Sequence, residues 1–497
     1  MSLFRRKTQA IAGGMREAPM SQREAAARAQ MSRFIRAVMP FADAATTELP
    51  LGRLLRLSLF QVSVGITMVL LGGTLNRVMA VELGIPVSII AVALALPLIA
   101  APARALIGHK SDTHRSYLGW RRVPYIWFGA LIQFGGLAVM PFSLLIISEA
   151  RPGTVIYGEI GMTIAFLMTG FGLHTVQTAG LALATDLASD EKRPRVVAML
   201  YTMLLVGMVG GAVVIGRLLG DFSTLKLIQV LQGAALLTLA LTCISMWKQE
   251  VRRRDIAPSS QPKEPFRAAL KALRQQKGLD RLLVALAIGT AAFGMQDVLL
   301  EPYGGTVLNM AVGATTLLTA LFATGSLVGY FFSARLMSKG GNPYVVAGIG
   351  LMLGLPGFAA VIMAAPFGSV VVFSAGTALI GLGSGLFAVS MLIAAMGMVS
   401  AGRGGLALGA WSAVQAVALG IAVIVGGFLR DAVVGLADAG WLGSAFSGPA
   451  SGYSVVYLVE ICLVFAALAS LGPLVKPRRI EPRAEPPVRF GLADMPN

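Results

Sequence analysis

Twelve apolar segments of about twenty or more residues recur along the chain, and they limit its possible folds more than any other feature. A run of about twenty apolar residues can cross the hydrocarbon core of a bilayer as an α-helix. Only 13% of the residues are charged, whereas a soluble domain carries about 25%. The sequence therefore predicts an all-α polytopic membrane protein. The segments lie at 57–80, 87–107, 123–147, 155–185, 196–218, 225–246, 282–304, 314–337, 344–364, 369–399, 407–428 and 453–475.

Lys and Arg are concentrated in alternate loops, which predicts the orientation of the chain. The loops after the second, fourth, eighth and tenth segments carry cations, and so do the long central connection and both chain ends. Cytoplasmic loops of membrane proteins carry this excess, so we expect both termini in the cytoplasm of a bacterial inner membrane. The formal net charge of +17 then reflects membrane topology, and no nucleic-acid partner is expected.

Two short runs indicate an internal repeat. Val214–Asp221 closes the fifth segment, and the similar run Ile424–Asp431 closes the eleventh, about 210 residues later. Two six-helix pseudo-repeats joined by a long loop predict a major facilitator-type fold. The expected divisions are a basic N-terminal extension with an interfacial helix, the first half, a cytoplasmic linker, the second half and a tail, at 1–52, 53–246, 247–280, 281–475 and 476–497.

The basic loops also contain a candidate cytoplasmic motif. Gly108 and Asp112 begin a run that resembles the loop between the second and third helices of major facilitator proteins. A Gly there permits close helix packing, while an Asp can cap a helix N-terminus and pair with loop arginines. An ordinary positive-inside loop is the alternative. The candidates on this side are Gly108, Asp112, Arg115, Arg121, Arg122, Asp186, Arg193 and Arg195.

His174 is the one histidine well inside an apolar segment, and Gln177 lies three residues later on the same helix face. The fourth helix of a two-halved transporter borders the central cavity, so both side chains are candidates for holding a ligand. Imidazole is a suitable axial donor to the magnesium of a chlorin. The alternative is a histidine that is hydrogen-bonded to a neighbouring helix.

The seventh segment carries three polar residues, Gln296, Asp297 and Glu301, and the two acids are one turn apart. Polar groups at membrane depth must find partners or line a cavity. Arg77, next to Asn76 at the end of the first segment, is expected to pair with Asp297 or Glu301 and close the outer side. Proton coupling through Asp297, or two acids in water near the headgroups, are the alternatives.

The sequence favours a protein that is not an enzyme. It contains no phosphate-binding Gly loop, no metal-ligand cluster and no recognisable nucleophile with its base, so neither a nucleotide nor a free metal is expected. Two groups of glycines predict close helix packing, although a flat pigment ring could also use such a surface. They are Gly381, Gly383 and Gly385 on the tenth segment and Gly207, Gly210 and Gly211 on the fifth.

Six runs together resemble the PucC/LhaA family, the bacteriochlorophyll-delivery branch of the major facilitator superfamily. The resemblance extends from about residue 50 to the end of the twelfth segment, and it is closer to the LhaA type, which serves light-harvesting complex 1, than to the PucC type. The runs are Leu54–Gly65, Gly73–Met79, Ser111–Ser116, Leu118–Gly129, His174–Gly180 and Gln296–Gly304.

This resemblance implies an assembly factor or chaperone for the antenna complexes of purple photosynthetic bacteria. Its implied cargo is bacteriochlorophyll, with carotenoid or lipid as further candidates. The implied partners are the antenna alpha and beta polypeptides, the reaction centre, bacteriochlorophyll-synthesis enzymes and membrane lipids, in the inner membrane including its photosynthetic intracytoplasmic part. A proton-coupled transporter of a small solute and a pigment-free assembly scaffold are the alternatives.

Overall fold

The computed structural model describes residues 49–99, 120–148, 155–189, 192–250, 278–397, 404–443 and 448–475. Within these ranges the regular structure is helical and no strand occurs. The expected interfacial helix, most of the linker and the tail lie outside the described residues, and so do Gly108, Asp112 and Arg115.

Eleven of the described helices are long and apolar enough to cross a membrane, and a twelfth, shorter apolar helix lies between the first two of them. In chain order they are α1 (Leu51–Glu82), α2 (Val87–Ile99), α3 (Val123–Ser148), α4 (Val155–Leu187), α5 (Arg193–Leu218), α6 (Thr224–Met246), α7 (Leu279–Thr306), α8 (Val312–Ser338), α9 (Pro343–Phe367), α10 (Val370–Gly397), α11 (Gly404–Asp438) and α12 (Ser451–Val475). The prediction of a polytopic all-α membrane protein is confirmed.

Most described helix ends lie within a few residues of the predicted segments; α1 begins six residues earlier, and residues 100–107 of the second segment lie outside the described ranges. α11 continues to Asp438, ten residues beyond the predicted end at 428. The added turns carry Arg430 and Asp431, which ended the apolar run in the sequence. Asp431 accepts a hydrogen bond of 2.8 Å from the backbone N–H of Ser88 on α2, so a partner at this level holds the polar turn inside the bundle.

The same packing scheme occurs in the first six helices and in the last six. In the first half α3 packs on α4, α2 on α4, and α1 on both α5 and α6. In the second half α9 packs on α10, α8 on α10, and α7 on both α11 and α12. Each of these four contacts therefore has its equivalent six helices later, which is the structural counterpart of the repeat seen in the sequence.

Two long helix pairs join the halves, α2 with α11 and α5 with α8. Gly216 of α5 faces Gly313 of α8 at the end of this pair that lies away from Arg122 and Arg193. The two backbones are so close that a Cβ on Gly216 would lie 2.9 Å from the carbonyl oxygen of Gly313. We call this the opposite end of the bundle, and the end that carries Arg122 and Arg193 the basic end. The halves are thus in backbone contact at the opposite end.

The packing interpretation of the glycines is confirmed at five of the six positions. A Cβ on Gly381 would collide with the backbone of Phe322, and one on Gly385 with the backbone of Ser326. The same holds at Gly383 and Gly207. A Cβ on Gly211 would make a tight contact of 3.2 Å with Ile66 Cα, whereas one on Gly210 would meet nothing within 4 Å. Glycine at the five close positions lets neighbouring helices approach backbone to backbone.

Candidate functional site

The two equivalent helices α1 and α7 both depart from α-helical geometry in their second halves. In α1, Val69–Leu75 and Val78–Glu82 form π-helical turns, and in α7, Met295–Val298 forms a 3-10 turn. The Asn76 side chain joins them, because its Nδ2 donates to the carbonyl oxygens of Val298 and Gly72, each at 3.0 Å. Interrupted helices at corresponding positions of two repeats are characteristic of transporter binding sites.

A cavity of about 210 Å³ lies beside these irregular turns, between the two halves. Four polar residues singled out in the sequence contribute to its lining: His174, Gln296, Asp297 and Glu301. Thr319 adds a hydroxyl, and the other lining residues are apolar or glycine. These are Met68, Leu71, Gly72, Gly73, Ala93, Leu94, Pro97, Leu98, Phe166, Gly170, Leu173, Met208, Leu300, Phe322, Leu419 and Val423.

His174 and Gln177 are placed differently. His174 lies on α4, is 6% exposed and lines the cavity. Gln177 is half-buried and does not contribute to the cavity lining. The two side chains therefore do not form one cavity site in this structure, and of the pair only His174 is placed to contact a ligand there.

Glu301 lies between α1 and α8, with 1% of its surface exposed. The Thr319 hydroxyl donates to Glu301 Oε1 at 2.5 Å, and Thr315 and Thr316 lie on the same helix within one turn of Thr319. Gly73 on α1 passes so close that an added Cβ would collide with the Glu301 carboxyl group. The second oxygen, Oε2, has no hydrogen-bond partner among the described residues.

The 3-10 turn of α7 separates its neighbouring polar residues. Gln296 is buried against α12, where its backbone N–H donates to Glu460 Oε1 at 2.7 Å. Asp297 is exposed within the cavity lining. Glu460 itself is fully buried. Sequence reasoning missed Glu460, although it is an acid inside the last apolar segment and so meets the rule that singled out Asp297.

Arg77 does not make the expected ion pair. It pairs with Glu82, and its Nη2 donates to the Met310 carbonyl oxygen at 3.1 Å. The described residues show no direct ion pair of Arg77 with Asp297 or Glu301, although the positive charge of Arg77 still acts on the Glu301 carboxyl group. The physical reason for the pairing with Glu82 is the π-helical turn at Val78–Glu82, because π geometry pairs residue i with residue i+5 and brings Glu82 next to Arg77. Arg77 still joins the halves, through Met310.

Several of the predicted cytoplasmic candidates meet at the basic end. Arg122 pairs with Asp186, with 3.1 Å between Nε and Oδ2, and Arg193 donates to the Thr185 carbonyl oxygen at 3.1 Å. Arg195 is exposed. Sequence reasoning missed Glu250, whose carboxylate accepts from the backbone N–H groups of Arg121, Arg122 and Val123 at 2.7, 3.0 and 3.1 Å.

The Glu250 carboxylate thereby caps the N-terminus of α3. It supplies acceptors for backbone N–H groups that have no partner within the helix, and its negative charge faces the positive end of the helix dipole. α3 is thus connected to the segment that follows α6, and the basic end of the first half is held together by charged contacts.

Comparison with known proteins agrees with this architecture. A family described as PUCC protein matches residues 74–479. An uncharacterised protein of the puhA–bchM intergenic region of Rhodobacter capsulatus is 53% identical over 92% of this chain and 97% of its own length. Protein PucC of the same species is 49% identical over 88% of this chain and 95% of its own length.

Among solved structures, an inward-facing, unoccupied bacterial homologue of the human lysosomal transporter Spinster superposes with a TM-score of 0.61. It covers 85% of this chain and 97% of its own, at 14% identity. Likeness at that identity concerns the fold alone, and the predicted major facilitator-type fold is confirmed. The match to the family over most of the chain, together with the two near full-length relatives, shows that this membrane protein belongs to the PucC family.

Proposed function

We propose that this protein is an assembly factor for light-harvesting antenna complexes, which handles bacteriochlorophyll and the antenna alpha and beta polypeptides in the photosynthetic membrane. The observation that carries the proposal is the 49% identity to Protein PucC of Rhodobacter capsulatus over nearly the whole of both chains. Similarity of that extent runs through nearly all of both chains, so it supports a common role and not only a common fold.

We propose further that the complex served is light-harvesting complex 1 around the reaction centre. Support for this narrower proposal comes from the sequence resemblance to the LhaA type. Cargo would be released because the growing antenna ring binds it more tightly than the assembly factor does. Reaction-centre subunits and bacteriochlorophyll-synthesis enzymes are the further proposed partners, with carotenoid or lipid as further cargo.

The size of the cavity limits where a pigment could be held. Sites for drug-sized ligands measure about 300–1,000 Å³, whereas this cavity measures about 210 Å³. A chlorin ring is at least drug-sized, so in this conformation it would be held on the lipid-facing surface. Contact between its magnesium and His174 requires the halves to move apart.

The first experiment is to extract the tagged protein gently from a pigment-producing photosynthetic membrane, then record its absorption spectrum and identify the proteins that accompany it. Bacteriochlorophyll in fixed ratio, together with antenna polypeptides, would support delivery. A colourless preparation with antenna polypeptides would favour a pigment-free scaffold. A preparation with neither would contradict the proposal.

A pair of variants tests His174 as a pigment contact. His174→Phe removes the imidazole from the cavity wall, and Gln177→Leu alters a polar side chain one turn away, outside the cavity. If His174 holds the pigment, only His174→Phe lowers the bound pigment and the yield of assembled antenna. Equal pigment content in both variants would exclude His174 as a required ligand.

A second candidate function is transport of a small solute coupled to protons. The observation that favours it is a pair of carboxyl groups, Asp297 and Glu301, in a central cavity of a transporter fold. Solute counterflow in proteoliposomes distinguishes the two functions, because an assembly factor need not move any solute across the bilayer.

A further inference from the structure

The described lining of the central cavity holds two acids and one basic side chain, His174. Asp297 and Glu301 are the ionisable acids in its lining, and the described lining residues include no Lys or Arg. The nearby cation Arg77 is engaged with Glu82 and the Met310 carbonyl. Charges interact strongly at membrane depth because the dielectric constant is low. With both acids ionised, such a cavity repels carboxylates and phosphates and attracts cations.

Two buried oxygens in the same wall have no hydrogen-bond partner among the described residues. They are Gln296 Oε1 and Glu301 Oε2, on side chains that are each 1% exposed. Buried polar atoms nearly always have a partner. Both atoms are acceptors, so the missing partner must supply hydrogen-bond donors.

We propose that the cavity binds a small organic cation with a primary ammonium head and a short apolar body. A primary ammonium carries three N–H donors, and the wall formed by α7 offers three oxygen-bearing groups, on Gln296, Asp297 and Glu301. Asp297 in the 3-10 turn and Glu301 in the following α-helical turn both contribute to the cavity lining. A quaternary ammonium has the charge but cannot donate these bonds.

The remaining lining fits the body of such a ligand. The opposite walls are built from aliphatic and aromatic side chains, among them Leu94, Phe166, Met208 and Phe322. Ligand sites combine apolar walls with a few polar groups that fix the orientation. The volume of about 210 Å³ restricts the body to a few carbon atoms. The site does not depend on the proposed assembly function, since the cavity is too small for the pigment ring.

The test uses the full-length protein in detergent or nanodiscs and a series of n-alkylammonium ions from methyl to octyl. Calorimetric binding is measured at constant ionic strength. We expect affinity to rise about fourfold with each buried methylene and to stop rising once the cavity is full. Tetramethylammonium and butyrate should bind at least tenfold more weakly than n-butylammonium.

Two variants and one control locate the site. Asp297→Asn and Glu301→Gln should each weaken n-butylammonium binding at least tenfold. Asp280→Asn, at the exposed start of α7, should leave it unchanged. Equal binding of tetramethylammonium, equal loss in all three variants, or no binding to the unaltered protein would overturn the proposal and leave water as the occupant. Pigment content and antenna yield are measured separately, so failure here is distinguishable from failure of the assembly function.

Discussion

Glu460 of α12 accepts a hydrogen bond of 2.7 Å from the backbone N–H of Gln296, at the point where α7 changes from α-helical to 3-10 geometry. A change of helix type leaves backbone donors without their usual partners. In a membrane no water replaces them, so a side chain from another helix must do so. Glu460 is therefore part of the reason why α7 can be irregular at this depth.

Replacing Glu460 by Leu and by Gln separates its hydrogen-bond acceptor from its carboxylate charge. Both variants remove the carboxylate, but Gln keeps an oxygen that can accept from Gln296. We expect Glu460→Leu to be less stable than Glu460→Gln by about 1–3 kcal/mol, the cost of an unpaired buried donor. Thermal unfolding of the two purified variants, followed by circular dichroism, measures the difference. Equal midpoints would show that the hydrogen bond contributes nothing.

Gly73→Ala should destabilise the protein. The added Cβ would collide with the Glu301 carboxyl group and lie 3.1 Å from Thr319 Oγ1, and overpacking of this kind costs about 1–3 kcal/mol. Gly72→Ala is the matched control, because a Cβ there meets nothing within 4 Å. The unfolding midpoints of the two variants should differ clearly, with Gly72→Ala at or above the unaltered protein. Similar losses in both would contradict the close approach.

Arg77 and Glu82 should be energetically coupled. Their side chains are 6% and 40% exposed, and a partly exposed ion pair contributes about 0.2–1 kcal/mol. A double-mutant cycle with Arg77→Gln and Glu82→Gln should return a coupling of that size in unfolding free energy. The parallel cycle of Arg77→Gln with Asp297→Asn serves as the control and should be nearly additive. Additivity between Arg77 and Glu82, with coupling between Arg77 and Asp297, would instead support the ion pair expected from the sequence.

Glu250→Ala should lower stability through the start of α3. Loss of an N-terminal cap costs about 0.5–2 kcal/mol, and here one carboxylate serves three backbone donors. Asp438→Ala removes an exposed acid at the end of α11 and should change the unfolding midpoint little. Hydrogen exchange at the amides of residues 121–123 should accelerate only in Glu250→Ala. Unchanged exchange there would mean that Glu250 is not the cap.

The spans were predictable because each depends on one additive property, the hydropathy of about twenty residues. The irregular turns of α1 and α7 were not, since they depend on distant partners. Asn76 reaches Val298 across the two halves, and Glu460 reaches Gln296 from the last helix. No local pattern near residues 69–82 or 295–298 reports contacts made more than 150 residues away.

The candidate site shows the same division. His174, Gln296, Asp297 and Glu301 were found because polar groups are costly at membrane depth, and the structure places all four around one cavity. Their roles stay predictions. The direct ion-pair partner of Arg77 was sought across the halves, whereas the π turn supplies Glu82 from the same helix. Glu460 was missed although the rule that identified Asp297 applies equally to it.

The contact between Gly216 and Gly313 has a mechanical consequence. It lies at one end of the α5–α8 pair, so the two halves can tilt about it as a pivot. α5 has 26 residues and is therefore about 39 Å long, at 1.5 Å per residue. The part from Gly216 to Arg193 is about 35 Å long, so a tilt of about 10° around the glycine contact would displace the basic end by about 6 Å. Such a displacement is wide enough to admit a side chain or a flat ring edge, while the opposite end stays shut.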